Sequence, residues 1–291
     1  MTHPDLSISR RAALLSAVAL SACGGRPKSP PPPATIEAAV AGPWRLPADR
    51  ARDPWRHPAE SLRFWGLRPG QTVVEFWPGA GWYTDIVAPF LAATAGRFYA
   101  ADLPPADAAG RAMVEAYRRR LTENPKLYGK VEFTTFGPAS GPVAPAGSAD
   151  LVLFLRNLHN WMAAGLAEKA FRDAYAALKP GGVLGVEEHR ADPAAMPDVM
   201  ASSGYVAQAY VVQLAQEAGF TLAAASEINA NPKDDRNHPF GVWTLPPVRS
   251  SSPRGQPADP AFDHAKYDAI GESDRMTLRF VKSVAATAPT P

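Results

Sequence analysis

Cysteine is almost absent. Cys23 is the single one in 291 residues, so no internal disulfide can form and no cysteine cluster can bind a metal. Charge of one sign is missing too: 30 basic against 28 acidic residues leave a formal net charge of +2. That excess is too small for a nucleic-acid footprint, and the two signs are mixed along the chain, so no strong steering field is expected. There is no Gly-Lys-Ser/Thr triplet, hence no phosphate loop, and no nucleophile elbow. No helical histidine pair occurs, and no metal is expected. No internal repeat is visible. The apolar run from Ala12 to Ala22 is too short to span a bilayer.

Proline, by contrast, is abundant, with 31 residues. The N-terminus carries the densest signals. Ser9-Arg10-Arg11 precedes the apolar run, which suits the central region of a signal peptide. The run ends in Leu20-Ser21-Ala22-Cys23-Gly24, which resembles the bacterial lipobox, where such a cysteine is lipidated. The arginine pair resembles a twin-arginine signal; Ala13 sits where that pattern prefers a bulky residue, so the Sec route stays open. Pro30 to Pro33 form a stiff, solvated spacer. The expected organisation is a signal peptide over 1–22, a lipidated Cys23 with a Pro-rich linker over 23–44, one domain over 45–283 and a disordered tail over 284–291. The mature protein is then expected in the cell envelope, held by a lipid anchor and served only transiently by export machinery.

The folded part alternates strand and helix patterns. Short apolar runs at 72–76, 98–101, 131–136, 149–155, 183–186, 222–228 and 276–281 predict seven strands. Residues 49–65 read as a loop and an amphipathic helix, and the stretches 84–93, 108–122, 163–178 and 206–218 predict further helices. This alternation predicts an α/β fold: a Rossmann-like, doubly wound seven-stranded sheet, mostly parallel with the last strand antiparallel. Ligands of such sheets sit beyond the strand carboxyl ends, where the winding reverses.

The first strand leads into Glu75-Phe76-Trp77-Pro78-Gly79-Ala80-Gly81-Trp82-Tyr83-Thr84. Gly79 and Gly81 allow close approach of backbone to a ligand at a helix N-terminus. Asp102, at the end of the second strand, suits a carboxylate holding ribose hydroxyls. A dinucleotide fingerprint would need a glycine at position 84, where threonine stands. Taken together, these residues resemble the first motif of class I S-adenosylmethionine-dependent methyltransferases, with Asp102 as the second-strand acid. Ala149-Asp150-Leu151-Val152 and Leu178-Lys179-Pro180-Gly181-Gly182 resemble the family's fourth-strand motif and the turn before strand five. The stretches 49–58, Arg156-Asn157-Leu158-His159-Asn160-Trp161 and Glu272-Ser273-Asp274-Arg275 resemble a bacterial group of predicted methyltransferases, and the resemblance covers residues 45 to 283.

The resemblance implies S-adenosyl-L-methionine as cofactor and a small-molecule methyl acceptor. It implies that Glu75 orients the methionine amino group, that Pro78, Gly79 and Gly81 shape the turn, and that Asp102 holds the ribose, with Asn157 nearby. Trp82 and Tyr83 either face the sulfonium or belong to the core. Trp77 departs from the family, which has glycine there. After strand four, Arg156, His159 and Asn160 are the catalytic candidates. His159 serves as base, as substrate hydrogen-bond donor, or merely as a helix cap. Arg56, Trp161, Glu188, His189, Asp234 and His238 are the acceptor-side candidates. Of the adjacent Glu187 and Glu188, strand geometry lets only one face the site. Because an exported domain meets no obvious supply of this cofactor, a second reading stays open: a non-catalytic envelope lipoprotein binding a nucleoside-like or other small ligand on the same fold.

Overall fold

The structure, a computed structural model, describes residues 33–102, 104–105 and 107–283. The stretch expected to be a signal peptide, Cys23 and the tail beyond 283 therefore lie outside the described residues. No helix among the described residues is long and apolar enough to cross a membrane.

Seven strands form one sheet in the order β3-β2-β1-β4-β5-β7-β6. They are β1 (Thr72–Phe76), β2 (Arg97–Asp102), β3 (Val131–Thr135), β4 (Ala149–Leu155), β5 (Leu178–His189), β6 (Phe220–Ser226) and β7 (Arg275–Lys282). β7 runs antiparallel between β5 and β6, and the other neighbours pair in parallel. The doubly wound sheet with a reversed last strand is thus the one read from the sequence. Among the described residues eleven α-helices are interspersed: α1 (Ile36–Val40), α2 (Pro47–Arg50), α3 (Asp53–Arg56), α4 (Pro58–Trp65), α5 (Thr84–Ala93), α6 (Ala108–Glu123), α7 (Pro125–Tyr128), α8 (Leu158–Ala163), α9 (Ala167–Ala177), α10 (Gln208–Glu217) and α11 (Ala265–Ile270). Two buried apolar clusters cover the two faces of the sheet, one around Phe76, Phe154 and Trp161, the other around Trp65, Val73 and Ile86. Strand order reverses between β1 and β4, and the site lies above that point.

Some boundaries differ from the sequence pattern. The stretch 49–65, read as a loop and one helix, holds three short helices, because Pro54 and Pro58 each lack an amide donor and His57 takes a left-handed φ of 40°. The helix read over 163–178 is split between α8 and α9 at Gly165, whose φ is +68°. β5 extends far beyond 183–186 because both its neighbours run alongside it to Glu187 or His189.

Candidate functional site

The carboxyl ends of β1, β4 and β5 open into a cavity of about 350 Å³. Its floor includes Glu75, Trp77, Pro78, Gly79, Tyr83, Arg156, Asn157, His159 and His189. Asp49, Arg52 and Arg56 close one side, and Val242, Trp243 and Pro246 to Val248 from the long β6–β7 connection close another.

Glu75 is buried in β1, and its Oε2 accepts a hydrogen bond from Thr84 Oγ1 at 2.7 Å. Burial pushes its carboxyl up to about 8, with Asp85 and Asp102 adding to the rise and Thr84 and Arg156 opposing it. The folded chain therefore keeps this proton between about pH 4.5 and 8, whereas the unfolded chain releases it. Stability falls as pH rises through that window, by up to about 1.4 kcal/mol per pH unit. Glu75→Gln keeps an oxygen for Thr84 and has no proton to lose. Its melting temperature is expected to match the wild type near pH 5 and to exceed it increasingly toward pH 8; parallel curves across that range would contradict this.

The turn after Glu75 is fixed from both sides. Trp77 N donates to Ala101 O (2.8 Å), and Asn157 Nδ2 donates to Trp77 O (2.8 Å). Asn157 is thus a tie between the turns following β1 and β4. Trp77 has φ +47°, the conformation that favours glycine, and it is half-buried against the larger core cluster. Gly79, at φ +60°, has open space where a Cβ would stand. Gly81 has a different reason to be glycine: a Cβ there would meet the Arg120 guanidinium at 2.6 Å and the Tyr117 ring at 2.8 Å, so it admits α6 rather than a ligand. Gly81 is not among the residues that line the cavity.

Asp102 does not line this cavity. It fronts another, of about 310 Å³, with Pro104, Pro105, Arg111, Arg118 and Thr135. Its carboxylate is buried and accepts from Arg118 Nε at 3.2 Å. Burial raises its pKa, against the pull of Arg118. The turn residues and the second-strand acid are therefore served by two neighbouring hollows.

β5 sends its two glutamates to opposite faces, both fully buried. Glu188 Oε1 lies 2.9 Å from His159 Nδ1, and its Oε2 accepts from His159 N at 3.2 Å. With Nδ1–H donating to the Glu188 carboxylate, Nε2 is the basic nitrogen of a ring on the cavity wall. His189 also lines the cavity, its Nδ1 2.5 Å from Ser273 Oγ. Burial, with His159, Arg275 and Arg156 near, pushes its pKa well down, so its ring is neutral at pH 7. Glu188 itself stands behind the cavity, positioning His159 rather than meeting a substrate. Glu187 turns the other way, accepts from Tyr83 Oη at 3.0 Å and pairs with Arg275 at 2.9 Å.

Glu272 gathers three arginines: Arg52 at 3.0 Å, Arg56 at 2.8 Å and Arg275 at 2.8 Å. Arg56 and Arg45 lie 4.9 and 5.1 Å from the Trp82 ring centroid, so the cations that Trp82 faces are guanidinium groups of this chain. Trp82 is buried in the core cluster and also lines the cavity. Tyr83 is core on one side and borders the cavity on the other.

Four candidates sit elsewhere. Trp161 is fully buried among Phe76, Phe136 and Phe154, with ring centroids 4.8 to 5.9 Å away, so it is core and not acceptor-binding. Asn160 and His238 line a second hollow beyond Trp243. Asp234 accepts from Tyr205 Oη, Asp274 N and His238 Nε2, which makes it a clasp holding the long connection to the start of β7. The ligand atoms of His159, Glu188 and His189 lie within 4.8 Å of one another, as do those of Asp234, Asp235 and His238. In both groups the buried carboxylate is already engaged by hydrogen bonds. Arg52, Trp243 and Val248 were missed as cavity residues. Arg52 reads locally as a solvated helix face, and no local pattern marks the other two.

No family model matches the chain, and no curated protein matches it by sequence. Solved structures do. The [4+2]-cyclase SpnF is 17% identical, with a TM-score of 0.53 over 86% of this chain and 92% of that one. The geranyl diphosphate C-methyltransferase of Streptomyces coelicolor, solved with Mg2+, geranyl diphosphate and S-adenosyl-L-homocysteine, is 13% identical, with a TM-score of 0.50 over 84% of this chain and 87% of that one. A geranyl diphosphate methyltransferase solved with sinefungin has the same score and identity over 78% of each chain. These likenesses show the fold shared by class I methyltransferases. The cyclase among them shows that the fold alone does not fix the reaction.

Proposed function

We propose that the chain is an S-adenosylmethionine-dependent methyltransferase acting on a small molecule. The observation that carries this reading is that Glu75, a buried acid with no cationic partner bonded to it, and His159, held by Glu188, front one cavity at the reversal of the sheet. The chain's residues fit the cofactor: Gly79 leaves open space, Glu75 would take the amino group, and Asp102, one strand away, the ribose. When bound, the cofactor supplies an electrophilic methyl group. His159 Nε2 takes a proton from the acceptor, and Glu188 stabilises the imidazolium that results. Trp77, Val242 and Trp243 narrow the cavity and exclude water.

Calorimetric titration tests the reading. The wild type is expected to bind both S-adenosylmethionine and S-adenosylhomocysteine. Asp102→Ala should weaken both by roughly 10- to 100-fold, the worth of hydrogen bonds to a charged group. Failure of the wild type to bind either ligand would overturn the proposal.

A further inference from the structure

Arg156 lines the cavity, and the mechanism above does not employ it. It follows β4 directly and takes φ +57°, a left-handed backbone that a non-glycine residue adopts only at a cost. Its side chain is 16% exposed and lines the cavity. Its Nε and Nη1 have no hydrogen-bond partner among the described residues. The nearest carboxylates, Glu187 and Glu272, are 4.0 and 3.8 Å away. Both are already taken, Glu187 by Arg275 and Tyr83, Glu272 by Arg52, Arg56 and Arg275. Glu75 offers no full counter-charge at neutral pH, because burial keeps its proton on. Burial accordingly lowers the Arg156 pKa despite the two glutamates. A guanidinium held strained, desolvated and under-compensated on a cavity wall is matched by an anion arriving from outside.

We propose that Arg156 binds an oxyanion, a carboxylate or a phosphate monoester, on the acceptor molecule. The inference rests on the methyltransferase reading for the word acceptor, and on geometry alone for the anion. Trp77, Val242 and Trp243 give the same cavity flat and apolar walls, so the anion is carried on an apolar body. His159, on the same wall system, then faces a second group of that molecule.

The probes are benzoate and phenyl phosphate, which share a ring and differ in head group, with chloride at matched ionic strength as control. Each is titrated into the full chain, with and without saturating S-adenosylhomocysteine, and binding is read by calorimetry and by melting temperature. At least one probe is expected to bind saturably, and Arg156→Gln to weaken it about tenfold or more, Arg156→Lys less. Each variant's melting temperature is read without probe, and Arg156→Lys, which keeps the positive charge beside Glu187 and Glu272, is the folded comparison that separates lost binding from lost folding. The preferred head group distinguishes carboxylate from phosphate. Binding no better than chloride, or binding unchanged in Arg156→Gln, overturns the proposal. So does a third result: Arg156→Gln weakening S-adenosylhomocysteine but sparing its decarboxylated counterpart, which would give the arginine to the cofactor's own carboxylate. If the wild type binds no S-adenosylhomocysteine but does bind a probe through Arg156, the methyltransferase reading falls and the anion site stands.

Discussion

Glu272→Ala is expected to cost about 3–5 kcal/mol of stability, the usual penalty for stripping the partner from a buried ion cluster. Glu272 is buried, and so are Arg56 and Arg275 that bond to it. Removing its carboxylate leaves four guanidinium groups, Arg52 and Arg156 included, with Glu187 and Asp49 as the only nearby anions among the described residues. At roughly 2–4 °C per kcal/mol for a domain of this size, the melting temperature should drop by about 10 °C. Glu272→Gln, which keeps the acceptor oxygen but not the charge, should fall between. The control is Glu37, whose pair with Arg63 is more than half exposed at both ends and should be worth next to nothing. A loss at Glu272 no larger than that at Glu37 would show that the arginines re-pair locally and that the cluster is not what joins α3 to β7.

His159→Ala is expected to slow methyl transfer by about 10²–10⁴-fold, the range for a lost general base. Binding of S-adenosylhomocysteine should be unaffected, because His159 stands in α8 after β4, whereas Glu75 and Asp102 stand in β1 and β2. Transfer is measured with tritiated S-adenosylmethionine and a small-molecule extract as the source of acceptor. Glu188→Gln makes the sharper test. It preserves the shape but frees the imidazole to hold its proton on either nitrogen, so the rate should fall less than for His159→Ala and the pH profile should move. Full activity in His159→Ala would remove the base from the mechanism and leave positioning alone to drive transfer. An equal loss of cofactor affinity in His159→Ala and Asp102→Ala would refute the separation of their roles.

Much of the architecture was legible in the chain. β1 and α5 begin and end where the apolar patterns do, because a buried strand and its following helix are specified by local alternation and by the prolines and glycines that bound them. Asp102 at the end of β2 and His159 after β4 were placed by the same logic. Trp161 was not. It stands amid polar neighbours, and only the closing of α8 onto β1, β3 and β4 puts its ring among three phenylalanines. Gly81 shows the same gap: that it is glycine could be read as room for a ligand, yet the room is filled by Tyr117 and Arg120, 36 and 39 positions later.

Period and composition, which act over a few residues, determined the seven strands, their parallel winding and the edge at which a ligand would lie. Which charges meet was decided only by the tertiary structure. Glu272 reaches Arg52 and Arg56 across 220 and 216 positions, and Glu188 reaches His159 across 29. Electrostatic pairing depends on distance in space and on the loss of water around each group, neither of which is written in the order of neighbouring residues. The chain specifies its layers locally; the bare guanidinium of Arg156 and the poised ring of His159 exist only once those layers close.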